Sequence, residues 1–95
     1  MFWGSVLQRG STLNLSDHSH KGDILHLSHI NLNNLSSKGT TTVFLMSHGQ
    51  KFPLAHLDSS TSSVNLDLYL NTTDGYVFSV QGEGQVSLLG YFPPR

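Results

Sequence analysis

The sequence predicts an all-β domain, and three observations carry that prediction. Apolar residues recur with period two, turn clusters interrupt them at spacings of roughly 8–12 residues, and no segment sustains a helical period. Two short strands open the chain, around Phe2 to Leu7 and Ser11 to Leu15. Ile24 to Leu32 carries apolar residues on both parities, which predicts a strand covered on both faces. Thr40 to Ser47 is β-branched and aromatic, and after His48-Gly49-Gln50 a further strand runs from Lys51 to Leu57. Pro53 has no N–H for a ladder, so it belongs on an edge or at a strand start.

The clearest alternation is Val64, Leu66, Leu68 and Leu70, with Asn65, Asp67 and Tyr69 between them. The cluster Asn71-Thr72-Thr73-Asp74-Gly75 follows, and its Asp-Gly pair supplies the left-handed backbone of a hairpin loop. Tyr76, Phe78 and Val80 then alternate with Val77, Ser79 and Gln81. Gly82-Glu83-Gly84 turns the chain again, and Val86, Leu88, Gly90 and Phe92 alternate with Ser87, Leu89 and Tyr91. These last strands read as consecutive antiparallel neighbours joined by hairpin turns. About eight such strands make a sandwich, a jelly roll or a small barrel. Asn31 to Gly39 and Asp58 to Ser63 are polar loops. Residues 1–92 form one domain, and Pro93-Pro94-Arg95 stops the last strand and begins a linker or tail.

Composition narrows the function. A chain of 95 residues buries only about 60–65% of the surface its unfolded form exposes, so a monomer is marginal. Charged residues make up 12%, about half the usual share, and so uncharged a surface argues for covering part of it with further copies of the chain. Lys and Arg nowhere cluster, which argues against direct nucleic-acid binding. Without cysteine there is neither a disulfide framework nor a thiolate metal site. Met1 to Gly4 lacks the pattern of a signal peptide, and the aliphatic run Val43 to Met46 is too short to span a bilayer. The expectation is a soluble intracellular protein with no membrane partner. The Asn-x-Ser/Thr triplets at Asn14, Asn34 and Asn71 then read as chance in a chain rich in these residues.

Phe2-Trp3-Gly4 at the start and Gly84-x-Val86-x-Leu88-x-Gly90-Tyr91 at the end resemble the nucleoplasmin-like domain, as found at the N-terminus of nuclear FKBP-type prolyl isomerases and of plant nucleolar histone-deacetylase-like proteins. His26-Leu27-Ser28 and Leu66-Asp67-Leu68-Tyr69 fit the same pattern, and their order and spacing extend the resemblance over nearly the whole chain. It implies an eight-stranded antiparallel jelly-roll sandwich that assembles into a ring, usually a homopentamer. It also implies a histone chaperone of the nucleus or nucleolus whose partners are core histones of either dimer class. One departure qualifies this. Family chaperones hold histones through acidic tracts, whereas Asp17, Asp23, Asp58, Asp67, Asp74 and Glu83 never stand side by side. The expectation is therefore an assembly core that scaffolds histone-binding tails, with any prolyl isomerase domain lying beyond Arg95. Two rivals remain: a scaffold that multimerises an attached effector without histones, and a jelly-roll ligand binder using Asn65, Asp67, Tyr69 and Asn71.

No catalytic residue, cofactor site or metal site is predicted. Six histidines invite a metal reading, but His26 and His29 are an odd number apart and point to opposite faces of a strand unless a bulge intervenes, while His18 and His20 sit in a polar turn. Ser19-His20, Ser28-His29 and Ser47-His48 are adjacent pairs, which cannot form a triad, and no Gly-x-Ser-x-Gly elbow is present. Gly82-x-Gly84 lacks the third glycine of a dinucleotide loop and reads as a hairpin turn. The residues expected in the core or at an oligomer interface are Phe2, Trp3, Ile30, Leu89, Tyr91 and Phe92.

Overall fold

A computed structural model describes residues 1–33 and 39–94. Asn34 and the Ser36-Ser37 part of the first polar loop lie outside the described residues, as does Arg95. Eight strands follow in chain order: β1 (Phe2–Leu7), β2 (Thr12–Asn14), β3 (Ile24–Leu32), β4 (Thr41–Ser47), β5 (Gln50–Leu57), β6 (Ser63–Asn71), β7 (Val77–Gln81) and β8 (Val86–Tyr91). They form two four-stranded sheets, ordered β1-β8-β3-β6 and β2-β7-β4-β5, with every pairing antiparallel. This is the all-β eight-stranded sandwich that the sequence predicts.

The core lies between the sheets. Trp3, Leu25, Leu27, Ile30, Val86, Leu88 and Phe92 face inward on one side, and Leu13, Val43, Leu57, Phe78 and Val80 meet them from the other. Each such burial is worth about 1.5–3 kcal/mol, and period-two alternation places it on one face of each strand.

Three expectations need correction. β6, β7 and β8 are not consecutive neighbours, because β7 belongs to the second sheet and β6 and β8 to the first. The Asp74-Gly75 and Gly82-Glu83-Gly84 turns therefore carry the chain from sheet to sheet and are not hairpin loops. The connection that does make a tight hairpin is His48-Gly49 between β4 and β5, where both residues have positive φ (51° and 77°), as a right-twisted two-residue turn demands.

The second correction concerns β3. A bulge at Ser28 shifts the register between Leu27 and His29, so Leu25 and Leu27 before it and Ile30 and Leu32 after it all face the core. Apolar residues on both parities here record a change of phase within one buried face. The third is a 3-10 helix over Leu15–Lys21, where the sequence was expected to hold only a polar turn. Leu15 is its buried anchor. Pro53 does lie on an edge strand, since β5 ends the second sheet.

The two glycines of the C-terminal motif have physical reasons. Gly90 lies on the central strand β8, where a side chain would strike the carbonyl oxygen of His26 on β3. Gly84 donates its N–H to the buried Thr41 hydroxyl at 3.0 Å, and a Cβ there would come within 2.5 Å of that same oxygen and of Leu32. Trp3 on β1, opposite Gly90, fills the core at 1% exposure.

Candidate functional site: the outer face of the first sheet

With the inward residues accounted for, the outward ones of the first sheet stand in register across all its strands. Phe2 on β1 pairs with Tyr91 on β8, Tyr91 with His26 on β3, and His26 with Tyr69 on β6. This row of aromatic rings crosses the sheet from edge to edge. The His26 ring lies 4.5 Å from the Tyr69 ring and 4.7 Å from the Tyr91 ring, centroid to centroid. Phe2 is 73% exposed and Tyr69 60%, whereas His26 is almost fully covered between its neighbours. Val6 and Ile24 add exposed aliphatic surface to the same face, and Leu89 is half-buried beside Gly4.

The polar groups on this face stand mainly on β3 and β6, where both histidines are paired. His26 Nε2–H donates to Asp67 Oδ1 at 2.5 Å, and its Nδ1 is buried with no partner among the described residues. Asp67 itself is 82% exposed in its side chain. In the next row His29 Nδ1–H donates to Asn65 Oδ1 at 2.8 Å. Tyr69 is held above the ordinary phenol range, first by partial desolvation and then by Tyr91 and Asp67, so it remains a neutral phenol.

The six residues singled out from sequence divide cleanly. Trp3, Ile30 and Phe92 are inside the sandwich, Phe2 and Tyr91 stand on the outer face, and Leu89 lies half-buried between them. His26, Asp67 and Tyr69, noted from sequence as motif or ligand-binding residues and not as interface residues, share that face with Val6 and Ile24, which were not singled out. For Tyr69 the signal was available: an aromatic ring on the solvent parity of a strand is out of place unless something covers it.

The Ser28 bulge also revises the geometry of the histidines. His26 and His29 share the outer face, because the extra residue restores their parity. Their nitrogens are nonetheless committed to different partners, and among the described residues no three His, Asp or Glu side chains converge on one point. The Asn65, Asp67, Tyr69 and Asn71 set lies along the outward side of the edge strand β6. A cavity of about 600 Å³, which Tyr69 of that set also lines, opens where the chain ends meet, between Met1, Ile24, Tyr69, Phe92 and Pro93. There the Met1 amine donates to the Phe92 carbonyl at 2.9 Å and the Phe92 N–H to the Met1 carbonyl at 2.8 Å.

A family model for the nucleoplasmin-like domain matches residues 2–93. The chain belongs to the nucleoplasmin-like family. Solved structures agree on the fold. The nucleoplasmin-like N-terminal domain of Drosophila FKBP39 is similar at a TM-score of 0.79 and 24% identity, covering 100% of this chain and 90% of that one. The Drosophila NLP core, whose structure was described as bearing on pentamer formation and histone binding, is similar at a TM-score of 0.72 and 22% identity, covering 96% of each chain. Comparison with curated proteins gives no match.

Proposed function

We propose that this nucleoplasmin-like chain is the self-assembling core of a nuclear histone chaperone, a homopentamer that carries histone-binding segments and has no catalytic role of its own. The observation that carries this reading is the aromatic row Phe2, Tyr91, His26 and Tyr69, of which Phe2, Tyr91 and Tyr69 are exposed, on a chain with only 12% charged residues. A monomer would leave that row in water, whereas a neighbouring copy would bury it. The pentamer described for the Drosophila NLP core supports the ring as the form of assembly.

Histone affinity in this reading depends on acidic segments outside residues 1–92, since the strands supply a single carboxylate, that of Asp67. The nucleolus is the proposed compartment within the nucleus. Mass measurement by light scattering tests the assembly, with a pentamer expected and a monomer contradicting it. Pull-down of each class of core-histone dimer, with and without an acidic tail appended after Arg95, tests the chaperone role. Binding only with the tail is expected, and no binding in either form would leave a multimerising scaffold as the function.

A further inference from the structure

A ring of more than two copies requires two different patches on each subunit, because one patch meets a distinct patch on its neighbour. The first is the outer face of the β1-β8-β3-β6 sheet. A second apolar stripe lies on the outer face of the other sheet, where Met46 on β4 pairs with Val77 on β7 and Phe44 pairs with Pro53 on β5. Met46 and Pro53 are exposed, and Phe44 and Val77 are half-buried.

The formal charges of the strands divide between these two faces. Among the described residues, Asp67 is the one Asp, Glu, Lys or Arg in the strands of the first sheet, and Lys51 is the one in the strands of the second. Each is exposed and stands among rings. Asp67 is bonded to His26 beside Tyr69, and the Lys51 Nζ lies 4.3 Å from the centroid of Phe44. No carboxylate of the described residues forms a salt bridge with Lys51.

We infer that the outer face of the first sheet in one copy docks head to tail on the outer face of the second sheet in the next, with Asp67 and Lys51 forming the charge pair that sets the register. The inference rests on the self-assembly proposed above and names the surface that completes it. Charge selects the arrangement. A first face against a first face sets Asp67 against Asp67, and a second against a second sets Lys51 against Lys51, whereas only the head-to-tail contact joins opposite charges. Both apolar stripes are covered at once.

Charge exchange tests it. Wild type, Asp67→Lys, Lys51→Glu and the double variant are compared by analytical ultracentrifugation over a concentration series, with circular dichroism confirming the fold of each. Each single variant is expected to raise the dissociation midpoint roughly tenfold or more. The double variant is expected to return to within about threefold of wild type. Should Asp67→Lys fail to fold, Asp67→Asn, which keeps an acceptor for His26, takes its place. It is expected to weaken assembly of the wild-type chain but not of Lys51→Gln. Single variants that assemble like wild type, or a double variant no better than the singles, would overturn the head-to-tail contact while leaving self-assembly standing. A wild-type chain that is monomeric throughout would overturn self-assembly itself.

Discussion

Trp3 reaches the core from β1, and its indole N–H donates to His18 Nδ1 at 3.3 Å, with the two rings edge to face at 5.6 Å between centroids. Removing so large a buried side chain opens a cavity that the surrounding leucines cannot fill. Trp3→Ala is expected to cost about 3–5 kcal/mol, measured by chemical denaturation, and an unchanged midpoint would place the indole elsewhere. His18 gives a second test at this scale. Burial, and then Lys21, hold its imidazole below the ordinary histidine range, and its Nδ1 is already occupied as an acceptor. The folded state therefore favours the neutral ring. Below pH ~6.5 the unfolded chain binds a proton that the folded chain resists, so stability is lost as pH falls from there through the lowered folded value. Thermal melts across that window are expected to show the decline, and His18→Gln, which keeps an acceptor but does not titrate, should flatten it. A variant that declines as steeply as wild type would remove His18 from the account.

Strands β3 and β8 show what could and could not be read from residue order. Alternation in β8 translates directly into structure, with Val86, Leu88, Gly90 and Phe92 inward and Ser87, Leu89 and Tyr91 outward. β3 misled because the bulge at Ser28 changes phase mid-strand, and a local pattern cannot distinguish that from a strand covered on both sides. Strand order failed for a similar reason. Whether Asp74-Gly75 returns the chain to its own sheet or sends it to the other depends on long-range pairing, which leaves no trace in the turn itself. Gly90, by contrast, was visible as a motif, although its cause was not. An added methyl would meet the backbone of His26 and Leu27, which cannot move without breaking the ladder at the centre of the sheet. Gly90→Ala is expected to lose about 1–3 kcal/mol or more, read by denaturation, with hydrogen exchange quickening first in β3 and β8. Protection unchanged in those strands would mean that the sheet absorbs the methyl by sliding.

For the whole molecule, the first sheet is covered on its inner side by the second and carries a row of rings on its outer side. The end motifs led to the family because they contain both kinds of residue: Trp3 and Gly90 build the sandwich, while Phe2 and Tyr91 face out of it. The row they belong to was not legible, because Tyr69 and His26 join it only through the pairing of β6 with β3 and of β3 with β8. Replacing Phe2 and Tyr91 together by serine removes exposed rings and little core, so the variant is expected to keep its melting behaviour as a monomer while losing assembly. The most direct measurement is the native mass of the wild-type chain beside this variant. The account predicts five times the 10.4 kDa chain mass for wild type and the mass of one chain for the variant, and a wild type that stays at the mass of one chain at every concentration would contradict it.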